Sequence, residues 1–138
     1  LPTKQRMLSW GISTTSVCYF CSSSLESRDH LLLSCGYSQE IWRLVLDRLD
    51  YSRRSFLSWA ELLSWIRASS PSAPTTLRKI VAQAVVYHIW RQRNNVVHNQ
   101  VSIPPVIIFK GIDRVTRNII TARYKRKRFH NLMQLWIR

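Results

Sequence analysis

Apolar residues recur at helical spacing along most of the chain. In SQEIWRLVLDRLD, residues 38–50, Ile41, Trp42, Val45, Leu46 and Leu49 fall at i, i+1, i+4, i+5 and i+8, which puts them on one face of a helix. Ser38 stands where an N-cap is needed. Ser58 and Glu61 have capping-box spacing ahead of Leu62, Leu63 and Ile66, so a second helix starts there and stops at the breaker ASSPSAP, residues 68–74. Thr75 or Thr76 then caps a long helix that reaches the neighbourhood of Asn99, with Leu77, Ile80, Val81, Ala84, Val85, His88 and Ile89 as its apolar stripe. Pro104 and Pro105 end any helix before them and suit the first turn of another. That helix is expected from 105 to about 128, with Ile108, Ile112, Val115, Ile119 and Ala122 inward and Gly111 as a local weak point.

The first third has less periodicity. Pro2 suits a first helical turn, after which Leu1, Met7, Leu8 and Trp10 fall near one side of a short helix ended by Gly11. Residues 13–29 are rich in Ser and Thr without a helical period and read as loops and short strands, with HLLLSC, residues 30–35, as a returning strand. Trp42, Trp59, Trp65 and Trp90 are expected as anchors between helices, and Trp10 as a brace for the cysteine-bearing segment. The fold class is therefore mainly α: a small N-terminal module of short strands and loops, followed by about four helices. The expected division is 1–45 for the module, 46–74 for a helical extension and linker, and 75–138 for a basic helical region. At 138 residues and 46% hydrophobic, with six tryptophans, the chain has enough apolar material for one modest core.

Charge changes the picture. The chain has 21 Lys and Arg against 7 Asp and Glu, a net charge of +14. The surplus lies almost wholly in residues 67–138, where Asp113 is the lone acid. Such a surplus favours polyanions. No apolar run is long enough to span a bilayer, and LPTKQRMLSW lacks the apolar stretch of a signal peptide, so a membrane role is not expected and a reducing, intracellular setting is. The opening residue is Leu rather than Met, which fits a piece of a longer polyprotein or a trimmed chain.

The three cysteines all lie in CYFCSSSLESRDHLLLSC, residues 18–35, in the pattern C-x2-C-x8-H-x4-C formed by Cys18, Cys21, His30 and Cys35. A tight turn aims the first two sulfurs at one ion, and the return segment adds an imidazole and a third sulfur. This donor set suits Zn2+ in a closed, structural site. Ordinary buried thiols are the bland alternative. A redox C-x-x-C is the sharper rival, but it requires a βαβ setting that VCYFCSSSLES does not offer. In so Ser-rich a segment, metal binding supplies folding energy that burial cannot.

LPTKQRMLSWGI, Cys18, Cys21, ESRDHLLLSC and SQEIW, in that order, resemble the zinc-binding domain that follows the reverse transcriptase in plant non-LTR retrotransposons of the LINE type. IWRQRNNVVHN, residues 89–99, resembles a tail found in the same polyproteins. The strong resemblance covers residues 1–45 and a weaker one reaches 99. It implies Cys18, Cys21, His30 and Cys35 as zinc ligands, nucleic-acid binding as the role, and a reverse transcriptase domain upstream as a possible partner. The acids Glu26, Asp29, Glu40, Asp47, Asp50, Glu61 and Asp113 include no pair like the adjacent aspartates of a polymerase, and no four-carboxylate nuclease set. No enzyme, and no small-molecule substrate, is expected.

Nucleic-acid binding, to RNA or DNA, is expected from Lys110, Arg114, Arg117 and Arg128 along one side of the last helix. Arg123, Lys125, Arg126, Lys127 and Arg138 extend that face. A solvated face that binds nothing is the alternative. KRKR, residues 125–128, also has the composition of a nuclear import signal, a frequent chance match that fits a nuclear location. Tyr19 and Phe20 stand where a zinc knuckle presents aromatics to unstacked bases, or else they pack beneath the metal. His88 and His98 are too far apart on a helix to share an ion, and His130 adjoins the basic run. The competing functions are a zinc-stabilised protein-interaction module docked on the polymerase, and a degenerate, inactive retroelement fragment.

Overall fold

The computed structural model describes residues 1–137, and helices make up nearly all of its regular structure. The first helix, α1 (Lys4–Ser9), is capped by the Thr3 hydroxyl, which accepts the Arg6 N–H at 3.3 Å. Gly11, at φ +79°, turns the chain away from it. The expected apolar side of α1 does not face inward: Leu1, Leu8 and Trp10 are exposed, and Thr3 and Lys4 are buried instead. The cause is Glu26, whose carboxylate accepts the Lys4 N–H at 3.0 Å and whose carbonyl accepts that of Gln5 at 3.1 Å, so the polar side of α1 is held against the chain. Trp10 is 56% exposed beneath the Arg6 guanidinium and braces nothing in the cysteine segment.

Between α1 and the next helix, Val17 and Leu25 form an isolated antiparallel bridge. HLLLSC is not a strand. It is a π-helical turn over His30–Ser34, closed by the Cys35 N–H donating to the His30 carbonyl at 2.7 Å. Leu31, Leu32 and Leu33 are all fully buried, whereas a strand would have turned alternate residues to opposite faces. Two of the carbonyls in this turn are taken by side chains of α2 (Gly36–Leu49): the Trp42 indole donates to Leu32 at 2.8 Å and the Ser38 hydroxyl donates to Leu31. Ser38 therefore sits inside the first turn of α2 rather than capping it; Cys35 occupies the cap position.

In α3 (Trp59–Arg67), Ser58 accepts the Glu61 N–H at 3.2 Å as its spacing predicts, while the Glu61 carboxylate reaches Leu57 N–H at 3.0 Å. Helix α4 (Thr75–Asn99) follows the breaker, with Pro74 at the cap. The breaker segment is tied down: the buried Arg78 guanidinium donates to the carbonyls of Trp65 (2.6 Å) and Ala73 (2.7 Å) and to the Ser70 hydroxyl (3.2 Å).

Helix α5 spans Pro105–Ala122 and stops short of residue 128. Ala122 is exposed rather than inward, and Thr116 and Ile120 are buried beside Ile108 and Ile112. The helix ends because the chain doubles back through a 3-10 turn (Lys127–Phe129) into α6 (Leu132–Trp136), which returns Phe129, Leu132 and Trp136 to the interior. Burying a side chain of that size contributes about 1.5–3 kcal/mol, more than continued helix in a polar segment would gain.

Buried residues from Cys18 to Trp136 form one hydrophobic cluster, with α5 packed on α4 and α2, and α6 on α2 and α5. Trp42 and Trp65 lie in it on either side of Phe56, at 5.1 and 5.4 Å between rings, whereas Trp59 and Trp90 are half-buried at its edge.

Candidate metal centre and basic surface

The Val17–Leu25 bridge and the Cys18 N–H bonded to the Ser24 carbonyl at 2.8 Å close a tight loop. That loop carries Cys18 and Cys21. Ser22, at φ +56°, reverses its direction. The π-helical turn carries His30 at one end and delivers Cys35 at the other, so this short turn offers two donors on the same side. All four donor atoms, three sulfurs and one imidazole nitrogen, lie within 4.8 Å of one another. Cys18 and Cys35 Sγ are 4.0 Å apart, and Cys21 Sγ is 3.3 Å from His30 Nε2. Around tetrahedral zinc, with Zn–S near 2.3 Å and Zn–N near 2.0 Å, neighbouring donors are about 3.5–3.8 Å apart. The cluster fits zinc.

The electrostatics agree. The hydrogen bond with Cys35 lowers the Cys18 thiol to about 5 against the opposing effect of burial, with help from the Cys21 and Phe20 N–H groups; the Phe20 N–H is 3.4 Å from Cys18 Sγ. Burial pushes Cys21 upward, but hydrogen bonds from Ser23, Ser24 and His30 outweigh it and leave the thiol lowered to about 7. Cys35 moves the other way, raised chiefly by its hydrogen bond with Cys18 and by burial. With no cation, the three thiols share protons; a divalent ion makes all three thiolates compatible.

A buried carboxylate ties this centre to α4. Glu26, fully buried, accepts the Tyr19 N–H at 3.1 Å and the Lys4 N–H at 3.0 Å, and forms an ion pair with the buried Arg93 at 2.7 Å. Sequence reasoning missed this pair, since the partners are 67 residues apart. The signal available was an acid, Glu26, inside the cysteine window and an Arg, Arg93, on the long apolar helix. The Tyr19 ring lies between the Lys4 ammonium (3.9 Å) and the Arg93 guanidinium (4.8 Å), and Phe20 stacks on Tyr37 at 4.4 Å. Both rings thus have partners inside the protein.

The expected basic face is divided. Lys110 and Arg114 are exposed on α5 without an ion pair among the described residues. Arg117 is paired with Asp113 at 2.9 Å. Asp113 also receives Arg48 of α2 at 2.9 Å and the Trp136 indole at 2.8 Å. Arg128 is not on α5; it lies in the 3-10 turn, downstream of exposed Lys125, Arg126 and Lys127. Arg123 caps the C-terminus of α5, its guanidinium 5.9 Å from the Phe129 ring. Arg138 lies outside the described residues. His88 packs within the fold, its Nδ1 bonded to the Ala84 carbonyl at 2.7 Å.

Among the described residues this small helical protein thus carries, at its N-terminal end, a Cys3His cluster with the donor set of a zinc site. Residues 1–42 match a family described as zinc-binding in reverse transcriptase. That stretch contains all four donors, and the two findings together fit a reverse-transcriptase zinc-binding domain, an accessory distinct from the catalytic polymerase domain. Comparison with curated proteins and with solved structures gave no match. Among the described residues, no helix is long and apolar enough to cross a membrane.

Proposed function

We propose that the chain is a non-catalytic, zinc-dependent nucleic-acid-binding part of a LINE-type retrotransposon reverse transcriptase of plant origin. In this reading it grips RNA or DNA in the nucleus during target-primed synthesis. Cys18, Cys21, His30 and Cys35 hold the zinc ion. Bound there, zinc joins the Cys18–Cys21 loop to the His30–Cys35 turn and leaves no open coordination position, so its role is structural. Lys110, Arg114, Arg123, Lys125, Arg126, Lys127 and Arg128 engage phosphates, and Arg117 contributes less because Asp113 already holds it.

The observation that carries this reading is the imbalance of the C-terminal half: its one acid is committed to two arginines, while Lys110, Arg114 and the four cations of 125–128 are exposed and unpaired among the described residues. The test is the salt dependence of binding to a single-stranded oligonucleotide. Changing Lys125, Arg126, Lys127 and Arg128 together to Ala should lower the slope of log K against log salt by about 3, at roughly 0.7 for each phosphate no longer neutralised. An unchanged slope removes these residues from the interface.

A second reading, a module that docks on the polymerase, is favoured by the groove of about 730 Å3 between α3 and α4. Leu63 and Tyr87 are exposed in it beside half-buried Trp59, Ile66 and Val86. Under that reading, nucleic-acid binding is weak and nearly independent of salt.

A further inference from the structure

On the side of α4 away from Arg93, a groove of about 610 Å3 runs between α4 and α5. His88, Arg91, Asn95 and His98 line one wall at i, i+3, i+7 and i+10, and Arg114 of α5 lines the other. None of its lining residues is acidic. Arg91 and Arg114 are exposed, and neither has a hydrogen bond or ion pair among the described residues. Two unneutralised guanidiniums on opposite walls of a groove concentrate positive potential there.

The remaining chemistry is specific. Gln92 is buried and donates to the Val101 carbonyl at 3.0 Å, which fixes the chain leaving α4. Asn99 Nδ2 donates to Asn95 Oδ1 at 2.9 Å, leaving the Asn95 amide N–H2 and the Asn99 amide oxygen uncommitted, a donor beside an acceptor. Ile108 and Val115 give the floor an apolar patch. Cations at the rim, an amide pair on one wall and an apolar floor match the phosphate, the base edge and the base face of a nucleotide. The volume is within the ~300–1,000 Å3 common for small-ligand sites. A base held in a duplex stack cannot present all three at once, so the occupant is unpaired.

We infer that the α4–α5 groove binds an unpaired nucleotide of a single strand, with Arg91 and Arg114 on its phosphates and the Asn95–Asn99 amides on its base edge. This deepens the nucleic-acid reading above and rests on it. Arg114 belongs both to this groove and to the exposed basic side of α5, so a strand gripped by that side is led into the groove.

The test uses the full zinc-loaded chain and fluorescence anisotropy with oligo(rU), mixed-sequence single-stranded RNA, the matching DNA strand, and a duplex of equal length. The wild type should bind either mixed single strand more tightly than the duplex, and the tighter of the two identifies the strand chemistry. Asn95→Ala with Asn99→Ala removes no charge; it should weaken mixed single-strand binding about tenfold, leave duplex binding unchanged and leave the salt slope unchanged. Photo-crosslinking of a 4-thiouridine strand to the wild type, which needs no variant to fold, should label peptides within 88–115. Equal loss on single strand and duplex, no loss in either the amide double variant or Arg91→Ala, or crosslinks confined to 123–130, would overturn the groove while leaving nucleic-acid binding intact. If the wild type binds no strand even at low salt, the reading beneath it fails as well.

Discussion

Glu26 is the side chain on which the metal-bearing segment and the long helix meet. Its carboxylate takes two backbone N–H groups and the Arg93 guanidinium in a space where Glu26 is fully buried. Breaking a buried pair strands a charge, so Glu26→Ala or Arg93→Ala alone should each cost about 3–5 kcal/mol in urea denaturation. Glu26→Ala combined with Arg93→Ala leaves neither charge stranded, so the double change should cost less than the two single changes added together. Strict additivity in that cycle would mean that the two groups do not act as a pair. Asp113 is held by two arginines, Arg48 and Arg117. Burial pushes its carboxyl upward, but hydrogen bonds from Arg117 and Trp136 and the charges of Arg48 and Arg117 outweigh it, and the group is held below its ordinary value. A depressed acid contributes stability that is present above the unfolded pKa, near 3.9, and is lost as pH falls through the folded one. Thermal midpoints of the wild type should therefore drop in that acid window by more than those of Asp113→Asn. At pH 7 Asp113→Ala should cost about 1–3 kcal/mol, because Arg48 and Trp136 lose their acceptor.

Helix α3 was legible because it carries its own instruction, a cap with correct spacing and a stripe at 3.6-residue period; α4 was legible from its stripe alone, since Pro74 rather than Thr75 or Thr76 stands at its cap and the Thr75 hydroxyl donates instead to the Ile66 carbonyl at 3.0 Å. α2 was legible for the same stripe, although its start was misplaced, since Ser38 resembles a cap and the residue that serves as one, Cys35, does not. The leucine run 31–33 has no period at all, and the groups that donate to its carbonyls, Trp42 and Ser38, favour a π-helical turn over a strand. The end of α5 was equally invisible, because RYKRKR favours helix locally and what stops it is the burial of Trp136. The four zinc donors could be read because ligand type and spacing are local; the Glu26–Arg93 pair could not, being visible only after folding. The α4–α5 packing gives a prediction of its own. A Cβ on Gly111 would lie 3.3 Å from His88 Cδ2 and Nε2, and His88 is held by its bond to Ala84. Gly→Ala within a helix gains up to about 1 kcal/mol from propensity. Gly111→Ala should therefore show little or none of that gain in the wild type and recover it in a His88→Ala background, as read by thermal melts of the four proteins. An equal gain in both backgrounds would show that His88 moves aside freely.

At the scale of the whole molecule, the metal centre is part of the core and does not hang from it. Cys18 and Cys35 are buried in the same cluster as Ile41, Val85, Ile112 and Trp136, and the three leucines of the turn between His30 and Cys35 fill its centre. Losing the ion frees the turn that positions those leucines, so the disturbance should reach α2 and α4 through Trp42 and Glu26. It should not stay in residues 1–35. Chelation, or Cys35→Ser, should abolish the uptake of one zinc per chain in native mass spectrometry. It should also lower the midpoint of a single thermal transition followed both by tryptophan fluorescence and by helical circular dichroism. Coincident curves from the two probes are the signature of one cooperative unit. Two separated transitions, with the helical signal melting as in the zinc-loaded chain, would show instead that the helices stand without the metal, and the basic surface would then bind phosphate equally well in chelator.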